Sequence, residues 1–206
     1  MRKVIICSMP FRANIQKVVY KNQDISVQTS EQAVRFPINA LIESNIHNGD
    51  SLQILLLVKK DKNKFYESNK ELFLKELEET IGDREVEIMT EIIYTDFIEE
   101  KQVHEELLGK IVDNIEDDSN IIADITYGPK DMPIIIFSAL NFCEKHLNCT
   151  IDAIVYGLAQ FNGDNEIVEG KMCDMTSLFY LNTLSETINS RDSKQARQLL
   201  RTLLEL

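Results

Sequence analysis

Several features that would announce a common protein class are missing from this chain. Its four cysteines, Cys7, Cys143, Cys149 and Cys173, are scattered with no C-x-x-C pair. That argues against a zinc site, and so few in 206 residues do not make a disulfide scaffold. Cationic residues are scarce: 22 Lys and Arg stand against 34 Asp and Glu, a net charge of −12. Such a chain lacks the basic footprint that duplex DNA requires, yet a small phosphate ligand needs only a nest of amides and one or two cations. No apolar run approaches the roughly 18 residues of a membrane helix. The run Val4–Cys7, after the basic Met1-Arg2-Lys3, is too short for a signal-peptide core. Neither G-x-x-x-x-G-K-S/T nor G-x-G-x-x-G occurs, so a nucleoside triphosphatase or a common dinucleotide enzyme is unsupported. Internal repeats and low-complexity segments are absent too. The expectation is a cytoplasmic, reduced protein with no membrane segment, metal or cofactor.

What is present is globular. An apolar fraction of 44% and a charged fraction of 27% exclude a disordered chain, and the length suits one domain or one domain with a short appendage. Short β-branched or continuous apolar runs predict buried strands at 3–7, 52–58, 120–126 and 150–156, with alternation predicting another at 86–95 and a short one at 167–169. Helical spacing marks 34–46, 72–81, 99–115, 132–146, 175–188 and 191–206. Residues 14–30, with Val18-Val19-Tyr20 and the Ile25/Val27 alternation, read as a loop or irregular hairpin, and 59–64 as a basic loop. Strand and helix alternate throughout. The fold class is therefore α/β: a doubly wound, mainly parallel, Rossmann-like sheet with helices on both faces.

In such sheets ligands bind beyond the carboxyl ends of strands, near the switch in strand order. Two strand ends carry suitable chemistry: Ser8-Met9-Pro10-Phe11-Arg12 and Thr126-Tyr127-Gly128-Pro129-Lys130-Asp131. Gly128 permits a close approach or a positive φ, Pro129 stiffens the turn, and Asp131 suits an N-cap with Pro133 in the first helical turn. Amides at that helix start, with Lys130 and the Thr126 hydroxyl, would form an anion site. Asp124, beside Thr126, fits a loop-ordering hydrogen bond better than a metal ligand or base.

The segment Asp124-Ile125-Thr126-Tyr127-Gly128-Pro129-Lys130 resembles the D-x-T-H-G signature of the CRISPR-associated Rossmann-fold (CARF) superfamily. Ile154-Val155-Tyr156-Gly157 is similar to that family's strand ending in a tyrosine–glycine pair, and Phe36-Pro37-Ile38-Asn39-Ala40-Leu41 to its helix after the first loop. The likeness spans roughly residues 1–188. It departs at Tyr127, where the motif has histidine, and at Pro129-Lys130, where an arginine usually follows. The resemblance implies a homodimeric sensor of cyclic oligoadenylate, tetramer or hexamer, in type III CRISPR antiviral signalling. The ring would lie across the two-fold axis, with Met9, Phe11 and Arg12 beside the bases, and the sensor would control a fused or associated effector. The alternative within the family is a stand-alone ring nuclease acting by metal-independent transesterification. Outside it, the motif would be a coincidence in a mononucleotide-binding regulatory protein. The expected organisation is a ligand-binding domain over 1–190 and a C-terminal amphipathic helix over 191–206.

Other constellations carry less. His104-Glu105-Glu106-Leu107-Leu108 begins like a zinc-protease helix but lacks the second histidine, and reads as a solvated face. His47 and His146 fall near helix ends, where a cation suits the dipole. The apolar run Met132–Phe137 reads as part of an isologous dimer interface. In the last helix Arg191, Lys194, Arg197 and Arg201 oppose Leu199, Leu200, Leu203, Leu204 and Leu206, the pattern of a helix packed on its own domain, a dimer element or a connector to an effector.

Overall fold

The computed structural model describes the chain except residues 23–27, 61–64, 97, 164–166, 189–191 and 205–206, and the side chains of 185–187. The Ile25/Val27 alternation, part of the 59–64 loop, Arg191 and Leu206 fall outside the described residues. Two compact units emerge, Met1–Asp174 and Met175–Leu206. The second comprises α5 (Thr176–Thr187) and α6 (Ser193–Leu204), which contact each other. The division expected at 190/191 thus lies inside that second unit.

The first unit is built on a seven-stranded sheet. Its strands are β1 (Arg2–Ser8), β2 (Tyr20–Asn22), β3 (Ser51–Lys59), β4 (Glu87–Thr95), β5 (Asn120–Asp124), β6 (Thr150–Phe161) and β7 (Ile167–Asp174), in the order β2-β7-β6-β5-β1-β3-β4. From β4 to β6 every pairing is parallel. Strand β7 returns antiparallel to β6, and the short β2 runs parallel to β7 at the edge. The connections are α1 (Pro37–Asn45), α2 (Phe65–Ile81), α3 (Lys101–Asp113) and α4 (Met132–His146). The chain steps outward from β1 through β3 to β4, then crosses back to β5 and on to β6. With right-handed crossovers, α1 and α2 cover one face and α3 and α4 the other, and each pair is in mutual contact. The expected α/β doubly wound architecture is the observed one.

Burial follows from this layering. Strand β3, covered on both faces, has every residue from Leu52 to Val58 buried, which is why it reads as one apolar run instead of an alternation. At about 1.5–3 kcal/mol per buried aliphatic side chain, its leucines and isoleucine are major contributors to the fold. Cys7 and Cys143 are buried as small apolar groups.

The reversal of strand order falls between β1 and β5, where Cys7 lies opposite Asp124. The carboxyl ends of β1, β3 and β5 therefore open side by side at one edge of the sheet.

Candidate functional site

A cleft of about 480 Å³ lies over that edge. Its floor comes from two loops. Pro10, Phe11 and Arg12 follow β1, and Thr126, Tyr127, Gly128 and Pro129 follow β5. Its walls are Tyr20, Lys59 at the end of β3, Tyr66 of α2, and Tyr156 to Ala159 with Phe161 from β6.

The β5 loop is held by its own motif. Buried Asp124 accepts the Thr126 backbone N–H at 2.8 Å, together with the Thr126 hydroxyl and the Ile38 amide. The Thr126 oxygen in turn accepts the Gly157 N–H at 2.7 Å. Aspartate and threonine two apart thus tie β5, β6 and the first turn of α1 together. Burial pushes the Asp124 carboxyl up to about 6, against those three donors, which favour its charged form. Ser8, buried beneath, donates to the Tyr127 carbonyl. Gly128 has φ 112, and a Cβ there would press on Ser8 Oγ at 3.0 Å, so this turn requires glycine.

The N-terminus of α1 is already occupied. Phe36 and Arg35 donate their amides to the Glu76 carboxylate of α2 at 3.0–3.2 Å, Asn39 adds its side-chain amide at 3.0 Å, and Ile38 is taken by Asp124. Two internal carboxylates thus stand where an open sheet of this kind often seats a phosphate.

The β1 loop is positioned from outside its own sequence. Asn69 of α2, itself buried, donates to the carbonyls of Pro10 (2.6 Å) and Arg12 (3.1 Å). Phe11 stays 57% exposed but stacks on Tyr66 at 5.3 Å and meets Phe65 edge-on at 5.8 Å. Burial pushes the Tyr127 phenol up to about 12, Asp124 adding to the rise and the Arg12 guanidinium opposing it. Tyr20 is raised further for the same leading reason.

Seven of the eleven residues singled out by sequence line the cleft: Pro10, Phe11, Arg12, Thr126, Tyr127, Gly128 and Pro129. Ser8 and Met9 are buried below it, Ser8 as a brace and Met9 as core. Lys130 is exposed and is not among the lining residues. Asp131 stands at the N-cap position of α4, but its side chain makes no capping bond. Instead Asp131 Oδ2 lies 2.6 Å from His104 Nε2 of α3. His104 is therefore half-buried against the start of α4, which corrects the reading of its segment as a wholly solvated face; the pair is 27 residues apart and unreadable as a motif. The Thr126 hydroxyl is taken by Gly157 and Asp124, and the Met132 amide donates to the Pro129 carbonyl at 3.1 Å. The anion site sketched at the α4 start is in part satisfied internally.

Sequence reasoning missed Lys59, Tyr20, Tyr66, Leu158, Ala159 and Phe161. Lys59 had a signal, since it ends a buried strand next to β1. Tyr66 comes from α2, and the others reach the cleft through pairings of β2, β6 and β7 that carry no short-range signature.

Chemically the cleft is aromatic and cationic. Six rings line it with Arg12 and Lys59, and among the described residues no aspartate or glutamate does. In a chain with 34 acidic residues that exclusion selects for an anion. Among the described residues no group of three or more His, Cys, Asp or Glu could hold a metal, and no helix is long and apolar enough to cross a membrane. No protein-family model matches the chain, and no curated protein matches it.

Proposed function

We propose that this cleft binds a nucleotide anion and that the protein is a dimeric sensor of cyclic oligoadenylate in type III CRISPR antiviral signalling, passing the binding event to an effector. The carrying observation is the lining itself: among the described residues, two cations, six aromatic rings and no carboxylate at the switch point of an otherwise acidic chain. Guanidinium and ammonium groups meet phosphates, and tyrosine and phenylalanine faces accept bases by stacking. The Asp124–Thr126–Gly128 loop and the Tyr156-Gly157 pair, both in the cleft architecture, support the CARF-like reading. A two-fold ring would then meet the same loops from two subunits.

The second reading is a ring nuclease. Metal-independent cleavage needs a base for a ribose 2′-hydroxyl in line with the phosphorus. Among the described residues no histidine or carboxylate lines the cleft, and Tyr127, at about 12, is a poor proton acceptor near neutrality. Binding should outlast cutting.

Calorimetric titration of the full chain with the cyclic tetramer and hexamer, followed by chromatography of the recovered ligand, tests both readings. The expected result is one ring per two chains, recovered intact. Arg12→Ala should weaken binding by about 1.5–3 kcal/mol, the range of a charge-assisted hydrogen bond, and Lys130→Ala by less. Absence of binding by either ring would overturn the sensor. Complete conversion to linear product within minutes, without metal, would make the protein an enzyme.

A further inference from the structure

Helix α6 sorts its side chains more sharply than any other helix described. At 3.6 residues per turn, Ala196, Leu199, Leu200, Leu203 and Leu204 fall on one side, and Lys194, Gln198 and Arg201 on the opposite one. Arg197 stands at the boundary, beside Leu204. Ala196, Leu200 and Leu203, in the middle of the apolar side, are half-buried, and the helix contacts α5. Its flanks stay open: Leu199 is 43% exposed and Leu204 53%. Residues 193–204 include three cations and no carboxylate, in a chain of net charge −12. Those cations, with Ser193 and Gln198, line one hollow of about 340 Å³.

We infer that α6 is a docking surface for an anionic lipid membrane, lying along it with Leu199 and Leu204 at the acyl boundary and Lys194, Arg197 and Arg201 on the headgroups. Twelve residues make a helix of about 18 Å, too short to span a bilayer but suited to lie on one. The long stems of arginine and lysine let their charges reach the headgroups from a helix whose apolar flank is inserted. Two other occupants fit less well. An antiparallel second copy of α6, joined through the leucines, would bring the Arg197 boundary against itself, arginine to arginine. A single-stranded nucleic acid would use the cations and leave the leucines wet, and α6 has no aromatic ring on which a base could stack. The charge of the whole chain does not forbid the contact. At 0.15 M salt, charges more than about 8 Å from the lipids are largely screened, so the surface responds to the helix that touches it.

The test is co-sedimentation of the full chain with vesicles at that salt, phosphatidylcholine alone against phosphatidylcholine mixed with phosphatidylserine. The expected result is retention by the mixed vesicles only, with release as salt rises. Arg197→Gln with Arg201→Gln should lower the partition by about tenfold or more. Leu199→Ala with Leu204→Ala should lower it as well, because charge and apolar burial act together. All four positions are exposed and both replacements favour helix, so the variants should keep the wild-type circular dichroism and melting temperature. No retention, equal retention by both kinds of vesicle, or retention that survives either double substitution would overturn the inference. A leucine variant that loses self-association, in a protein that never binds vesicles, would assign the face to a second copy. Retention of an oligouridylate strand, with none of vesicles, would assign the cations to nucleic acid.

Discussion

Asp124 shows how one residue can both build the site and cost stability. Its carboxyl, ordinarily near 3.8, is pushed up to about 6 by burial. A value raised in the folded state means that the folded chain holds the proton more tightly than the unfolded chain. Its contribution to stability is therefore greatest below about pH 4 and is lost as pH rises through about 6, a change on the order of 3 kcal/mol. Asp124→Asn cannot ionise, so the melting temperature of the wild type relative to this variant should fall between pH 4 and 7. Parallel curves for the two proteins would exclude the effect. Gly157 is constrained by space instead of charge. A Cβ there would stand 2.3 Å from Pro37 Cγ and 2.6 Å from Pro37 Cβ, and a proline ring at a helix start cannot swing aside. Gly157→Ala should destabilise by about 1–3 kcal/mol, as overpacking does, read as a lower denaturation midpoint at unchanged slope. Adding Pro37→Ala should return part of the loss; an unchanged midpoint in the single variant would show that β6 and α1 are not so tightly apposed.

At the scale of elements, α4 carries the prediction about assembly. Its inner side is buried through Ile135, Ile136, Ala139, Leu140 and Cys143, whereas Ile134 (69% exposed) and Phe142 (43%) recur at helical spacing on an outer one. If that outer side is the isologous contact, Ile134→Asp should shift the protein to monomer in sedimentation velocity while leaving its fold intact. A wild type that is already monomeric at micromolar concentration, with and without ring, would defeat the idea. The elements that sequence made legible share a physical cause. Strands β1, β3 and β5 are buried on both faces and so appear as unbroken apolar runs, and α4 matches its expected limits because Asp131-Met132-Pro133 punctuates its start. The first two turns of α2 were hidden by polar residues: Tyr66 and Asn69 alone are buried between 65 and 71, and Asn69 faces the β1 loop, so a buried position there is not an apolar one. β2 is three residues long and exists only by pairing with β7, while β6 continues past Gly157, a residue that would ordinarily end a strand. The candidate site was legible where it follows strand ends and illegible where distant segments complete it, as Tyr20, Tyr66 and Phe161 do.

The whole molecule poses an electrostatic problem to any anionic ligand: a chain of net charge −12 must admit it to a cleft whose described walls carry two cations, Arg12 and Lys59. The two influences have different reach. At about 30 Å in water, twelve charges repel one ligand charge by roughly 1.7 kcal/mol before screening. With a Debye length of about 30 Å at 0.01 M salt, roughly a third of that survives; at 0.15 M, with about 8 Å, almost none does. Contacts made inside the cleft, with Arg12 against a phosphate, are far shorter than either length and are screened less. Salt should therefore remove the long-range barrier before it weakens the bound state. For most cationic sites that take nucleotides, association slows as salt rises, because the general field attracts the ligand. Here the expected order is opposite: the association rate constant for a nucleotide ligand should rise between about 0.01 and 0.15 M salt, by more for a ring of four phosphates than for adenosine monophosphate. Stopped-flow measurement across that range decides the matter. A rate that falls with salt for both ligands would mean that the field at the mouth of the cleft is already positive, and that the acidic surface plays no part in admission.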